Sequence, residues 1–221
     1  MQKIKNIIKR ILPNRIQKYL RIKRLYYSLP KNIRKVIGSL KKDNICVDCG
    51  ANIGQITELF SSYGCIVHSF EPNPFVFRIL KERFSSIKII NLHNSAVGIK
   101  NGESKIYLHK KYEENPLIYS EATSLISKKN NVSKEKFIYT QMINLGNFLN
   151  QFENIKILKI DIEGYETILI PWLIKNNFLA NVEYTFIETH EKIDALKEET
   201  AYMKEIINQY NLNDRVFCNW P

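Results

Sequence analysis

The sequence predicts an α/β fold: a mainly parallel, twisted sheet with helices on both faces. Three observations predict it. Short apolar runs rich in β-formers alternate with helical patterns through most of the chain, and such alternation implies a parallel sheet. The first run, Ile45-Cys46-Val47-Asp48-Cys49, turns on Gly50 and opens into a helical pattern. Two later runs end in acids, Phe70-Glu71 and Ile160-Asp161. That puts carboxylates at the strand ends, where open α/β sheets bind ligands.

In chain order, residues 1–40 read as a basic helical arm. Strand 45–49 leads to helix 53–63, strand 65–70 to helix 74–84, and strand 87–93 to a turn. Ser104 to His109 and Lys136 to Met142 read as two arms of a hairpin. The polar stretch 110–135 between them is long for a structureless connection. It reads as a lid over an acceptor or, equally, as a surface loop. A short helix, Leu145 to Gln151, precedes strand 155–160, helix 164–176, strand 182–189 and helix 194–210. The chain therefore divides into an N-terminal helical extension, 1–42, and one domain, 43–221. No internal repeat is visible.

The first turn carries chemistry. Gly50 has no Cβ, so the backbone can turn tightly and approach a ligand. Ile53, Ile56, Leu59 and Phe60 recur at helical spacing, so free N–H groups of a helix start point back at the strand end. A dinucleotide fingerprint needs a middle glycine to admit a pyrophosphate. Here the pattern is Asp48-x-Gly50-x-x-x-Gly54, without that glycine, and Asp48 would repel a phosphate. It suits a cationic guest such as S-adenosylmethionine, with its amino group and sulfonium. Glu71, one strand over, can accept hydrogen bonds from ribose hydroxyls. The plain alternative is a βα turn with no ligand; two acids at successive strand ends weigh against it.

In the second half, Ile155-Lys156-Ile157-Leu158-Lys159-Ile160 is followed by Asp161-Ile162-Glu163-Gly164-Tyr165-Glu166. Crowded acids need a cation, a metal or water to satisfy them. A helix start stabilised by acids, worth tenths of a kcal/mol to about 1 kcal/mol, accounts for Glu166 but poorly for Asp161 and Glu163.

Together, Val47-Asp48-Cys49-Gly50-Ala51-Asn52-Ile53-Gly54, Phe70-Glu71-Pro72-Asn73-Pro74, Leu158-Lys159-Ile160-Asp161-Ile162-Glu163-Gly164-Tyr165-Glu166 and Phe186-Ile187-Glu188-Thr189-His190 resemble the FkbM family of methyltransferases. The likeness covers roughly residues 43–191, and the Lys159-to-Glu166 segment is its most specific part. It implies a Rossmann-like class I methyltransferase fold, S-adenosylmethionine as cofactor, and O-methylation of a hydroxyl on a saccharide or similar metabolite, in glycan or lipid-linked sugar biosynthesis. By resemblance, Asp48, Gly50, Asn52 and Gly54 line the methionine end of the cofactor and Glu71 holds the ribose. Asn94, Ser95 and Ala96 flank the adenine. Asp161 lies near the transferring methyl with Glu163 beside it, and Glu188 and His190 face the acceptor. Little chain follows Cys218, which leaves little room for the closing strand hairpin of that fold; the expectation is either a sheet one strand short or a truncated variant.

A sugar hydroxyl is a poor nucleophile and needs a base. His190 is the first expectation for that base and Asp161 the second; the plain alternative for His190 is a strand-end histidine bonded to Glu188. His68, His93 and His109 read as structural. Asp161, Glu163 and Glu188 can offer oxygen ligands to a divalent metal, but no spacing demands one.

Net charge is +11, unevenly spread. Residues 1–42 hold 14 Lys or Arg and no acid, leaving 19 basic and 22 acidic residues in the remainder. In the arm, Ile4, Ile7, Ile8 and Ile11 alternate with Lys3, Lys5, Lys9 and Arg10, and after Pro13 the pattern resumes with Ile16, Tyr19 and Leu20. Such an element reads as peripheral contact with an anionic membrane, or as a stripe that packs on the domain. No specific nucleic acid is expected. No apolar run reaches the roughly 20 residues of a membrane span, and no signal peptide is visible, so the expected place is the cytoplasm or the inner face of its membrane. Cys46 and Cys49 are spaced C-x-x-C, but an odd offset on a strand points them to opposite faces, as core residues. An RNA methyltransferase, a non-catalytic scaffold that binds the cofactor or a membrane, and a weaker NAD-dependent dehydrogenase stay open.

Overall fold

The computed structural model describes residues 13–120 and 123–221; the pattern Ile4 to Ile11 lies outside them. Six parallel strands form the main sheet in the order β3-β2-β1-β7-β8-β9. They are β1 (Ile45–Cys49), β2 (Ile66–Phe70), β3 (Ile90–His93), β7 (Ile155–Ile160), β8 (Val182–Glu188) and β9 (Val216–Trp220). Chain order reverses between β1 and β7, which opens a crevice at their carboxyl ends. β9 closes the edge in parallel with β8. Among the described residues no antiparallel strand joins this sheet.

Each face is apolar and covered. Cys46, Ile157 and Phe186 pack beneath α2 (Lys31–Gly38), α3 (Gln55–Ser62) and α4 (Pro74–Phe84). Val47, Cys49, Leu158 and Ile160 pack beneath α6 (Leu145–Leu149), α7 (Glu166–Lys175) and α8 (Lys197–Gln209). Cys46 and Cys49 thus serve opposite cores. Cys65 lies just ahead of β2 rather than in it, and a short 3₁₀ turn, Asp194–Leu196, opens the last helical stretch.

The arm is α1 (Asn14–Ser28) followed by α2. Ile22, Leu25 and Tyr26 of α1 and the fully buried Ile33 and Ile37 of α2 join the core. Full burial of such a side chain is worth about 1.5–3 kcal/mol, so α2 is bound firmly. Glu58 of α3 fixes α1 by charge. Its carboxylate accepts from Arg21 Nε at 2.8 Å and Nη2 at 2.7 Å, with Arg83 behind at 3.4 Å.

A second sheet, β4-β6-β5, is built from β4 (Ala96–Gly98), β5 (Gly102–His109) and β6 (Val132–Asn144). β5 and β6 form the expected hairpin, longer than its pattern suggested. The stretch between them is no free surface loop. Ser124 bridges Tyr107, Ile126 is buried, and so is Lys129. A single helical turn, α5 (Pro116–Tyr119), lies within it.

Candidate active site

A cavity of about 340 Å³ opens at the carboxyl ends of β1, β2 and β7. Its floor is the β1 turn. Gly50 (φ +77°) brings the backbone against β7 so closely that a Cβ would sit 1.7 Å from the Asp161 carbonyl oxygen. Only glycine fits that position. Asn52 adopts a left-handed φ of 48°, which turns its N–H onto Glu71 Oε2 at 2.9 Å.

Glu71 is fixed from both sides. Its Oε1 accepts the Asn73 N–H at 2.8 Å. The sequence Glu71-Pro72-Asn73-Pro74 dictates this: Asn73 caps α4 through Phe75 N–H at 3.0 Å, and Pro74 occupies the first helical position, where its missing N–H costs nothing. Burial pushes the Glu71 carboxyl up to about 7, against the opposing pull of those two N–H groups.

The opposite wall is the turn after β7. Asp161 and Glu163 face the cavity together with Glu188 from the end of β8. Glu188 is raised to about 8, by burial first and then by the neighbouring Asp161 charge and the hydrogen bond they share. Beneath them lies Lys159, buried at the next-to-last position of β7. Its Nζ donates to Gly50 O at 3.0 Å and Asp161 Oδ2 at 3.2 Å, and sits 3.5 Å from Asp48 Oδ1. Burial alone would lower its pKa; Asp161 and Asp48 outweigh that and raise it. Lys159 is thus a permanent cation.

Several expected residues fall elsewhere. Asp48 does not face the cavity. It is fully buried, accepts from Thr57 Oγ1 at 2.8 Å, and spends its charge on Lys159, its register partner. Residue parity explains this: Asp48 shares a face with Cys46 and points under α3. Gly54 also lies off the cavity. It starts α3 at φ +84°, and a Cβ there would meet Phe84 at 2.4 Å, so its glycine serves helix packing. Ser95 and Ala96 do line the cavity. Asn94 is exposed and outside it, donating to Glu71 O at 2.9 Å.

His190 is the largest correction. Its Nδ1 lies 2.8 Å from Glu166 Oε1, and its Nε2 lies 3.4 Å from Glu163 Oε2. Burial would lower its pKa, but the two carboxylates overcome it and push the imidazole up to about 10. At neutral pH both ring nitrogens hold protons and neither has a lone pair for a substrate. It is no general base there, and its partners are Glu163 and Glu166 rather than Glu188. Glu166, beyond starting α7, is fully buried and accepts the Gly164 N–H at 2.8 Å.

Glu163 is gripped from the inter-strand loop. Lys129 Nζ reaches Glu163 Oε2 at 2.6 Å, and Ser124 Oγ donates to the Glu163 carbonyl at 2.6 Å. Asp161, Glu163 and His190 bring donor atoms within 4.8 Å of one another, and such a set can hold a metal. His190 stands there in place of the expected Glu188. The His190 proton and the Lys129 ammonium already engage these donors, so a metal would compete with both.

Sequence reasoning missed Lys159, although Asp48 and Lys159 are each the next-to-last residue of an apolar strand, a visible pairing signal. It also missed Lys129, and the outer wall of Leu25, Leu29 and Trp220, for which sequence spacing offers no sign.

A parallel sheet reversing at β1/β7, with a glycine turn and carboxylates at the strand ends, defines a class I methyltransferase-like protein. The family model described as "Methyltransferase FkbM domain" matches residues 48–213. The chain belongs to this family and is by family a methyltransferase. No curated protein sequence matches it.

Proposed function

We propose that the protein transfers the methyl group of S-adenosylmethionine to a hydroxyl of a saccharide or similar metabolite, in making a cell-surface glycan or lipid-linked sugar. The carrying observation is the Asp161–Glu188 carboxyl pair, which faces the cavity shared with Glu71. The cavity fits the cofactor. Its size lies within the usual 300–1,000 Å³ of small-molecule sites, and its carboxyl groups suit a cationic nucleoside. Glu71 is the ribose acceptor, and Asn52, Ser95 and Ala96 line the same pocket.

When bound, the cofactor supplies an electrophilic methyl group on a cationic sulfur. Transfer forms a C–O bond as the S–C bond breaks; the sulfur keeps the electron pair, and the hydroxyl proton must be removed. Glu188, raised to about 8, takes the substrate's proton once it has lost its own, with the Asp161 carboxyl beside it. Base assistance of this kind is worth about 10²–10⁴-fold. Holding oxygen, carbon and sulfur in line is worth roughly 7–11 kcal/mol. His190 acts as a positioning residue, a fixed cation that holds the Glu163 and Glu166 carboxylates in place.

The test is mass spectrometry of surface polysaccharide and lipid extracts from cells with and without the gene. The reading expects species that lose one methyl-sized increment when the gene is absent. Identical profiles in both fractions would contradict it.

A further inference from the structure

The outer face of α1 breaks the usual rule for a surface helix, whose exposed side is polar. Ile16, Tyr19, Leu20, Lys23 and Tyr27 fall within an arc of about 100° on the helix. Four of the five are large apolar or aromatic side chains, and all four are exposed, Tyr19 and Tyr27 at 59%. Leu25 on the opposite side, and Ile22 and Tyr26 along the edge next to Tyr19, pack on the core. The fifth, Lys23, holds its ammonium 5.5 Å from the Tyr19 ring and 6.0 Å from the Tyr27 ring.

The flanks of the stripe are basic. Arg15 and Arg24 are exposed, and neither has an ion pair among the described residues. Arg21, by contrast, is tied down to Glu58. No acid occurs anywhere in residues 1–42. An apolar, tyrosine-bearing stripe flanked by cations alone complements an anionic lipid headgroup layer. The apolar side chains enter the headgroup boundary and the cations meet its charge. A protein partner with an ordinary mixed-charge surface would set some of its own cations against these, whereas an anionic headgroup layer sets none.

The same helix walls the cavity from within, through Leu25, with Leu29 just beyond its end. We infer that α1 lies in the plane of an anionic membrane surface through Ile16, Tyr19, Leu20 and Tyr27, and that the acceptor is a membrane-borne amphiphile whose hydroxyl-bearing head enters the cavity. Docking through α1 sets the cavity one helix thickness, about 10–12 Å, from the headgroups. A hydroxyl on a lipid-anchored head group can reach that depth while its chain stays in the bilayer. The acceptor half of this inference rests on the methyltransfer proposed above; the lipid contact does not.

The experiment is flotation of the full chain with phosphatidylcholine vesicles, with and without phosphatidylglycerol, alongside calorimetric titration with S-adenosylmethionine. The wild type should float with the anionic vesicles, less so at high salt. The triple variant Tyr19→Ser, Leu20→Ser, Tyr27→Ser should bind them roughly tenfold or more weakly while keeping its cofactor affinity, because none of the three touches the cavity. With a radiolabelled methyl donor and whole membranes, the label should partition into the organic extract. Equal flotation of wild type and triple variant would overturn the lipid contact. So would concentration-dependent self-association abolished by the same variant, which would assign the stripe to a second copy. Label confined to water-soluble glycan would overturn the amphiphile as acceptor. Loss of cofactor binding in the wild type, with flotation intact, would instead defeat the proposed function and leave the lipid contact standing.

Discussion

The two strand-end turns that flank the crevice look alike in sequence and do different work. The β1 turn, Asp48 to Gly54, has its acid inside: Asp48 is enclosed by Thr57 and Lys159, and its glycines shape the backbone and pack helices. The β7 turn, Asp161 to Glu166, has acids that reach the cavity, gripped by Lys129, Lys159 and His190. Both begin with an acid at the end of an apolar run. They differ by two residues of register, since Asp48 pairs with Lys159 and not with Asp161. Asp48 lies within β1 and points into a packed face, whereas Asp161 lies just beyond β7, where the chain leaves the sheet. The carboxyl groups that line the cavity are those of Asp161, Glu163, Glu188 and Glu71, and not that of Asp48.

Breaking the second turn should have the largest effect on turnover. The double variant Asp161→Asn, Glu188→Gln is expected to lower kcat by about 10²–10⁴-fold with the fold intact. In the wild type, kcat should rise with pH until Glu188 is deprotonated, above about pH 8. A flat profile from pH 6 to 9 would remove the pair from the proton transfer.

The cation shared by both turns comes next. Lys159→Met leaves Asp48 and Asp161 without their charge partner. Stripping one partner from a buried ion pair costs about 3–5 kcal/mol, or roughly 6–20 °C in Tm for a chain of this size. An unchanged thermal midpoint would show that Lys159 is not the keystone between the strands.

His190 separates stability from chemistry. His190→Ala should cost about 3 kcal/mol by leaving buried Glu166 unpaired, while kcat falls far less than in the Asp161, Glu188 double variant, because Lys129 still holds Glu163. The sign of its pH effect is fixed. The folded pKa, about 10, lies above the ordinary 6.5. Its stabilising contribution is therefore full below pH 6.5 and fades as pH rises towards 10. Thermal midpoints measured across that window should fall in the wild type and fall less in His190→Ala.

The smallest effect belongs to the first turn. Thr57→Val removes one hydrogen bond to Asp48 and should cost about 1–3 kcal/mol for the acceptor left behind, with kcat unaltered. A loss of turnover larger than the loss of stability would place Asp48 in the chemistry after all.

The strands and most helices were legible because apolar runs, glycine turns and helical spacing report directly on backbone and burial. Strand-end acids were legible too, since residues 71, 161 and 188 close their strands in the sequence itself. The direction of a side chain was harder. Asp48 and Gly54 belong to a motif that faces the crevice as a whole, yet each points away from it. The His190 pairing was hidden because Glu163 and Glu166 approach from another element, across a left-handed turn at Glu163 (φ 57°). The outer wall was illegible for a different reason: Leu25, Leu29 and Trp220 come from the two ends of the chain, and only tertiary packing brings them together.

Calorimetric titration with S-adenosylmethionine, on the wild type and on Glu71→Ala, tests the central claim most directly. The account predicts one saturable site, with affinity that strengthens as pH rises through about 7 and Glu71 loses its proton. It also predicts at least roughly tenfold weaker binding in the variant, the equivalent of about 1.4 kcal/mol. No binding by the wild type, or equal affinity in the two proteins, would contradict it.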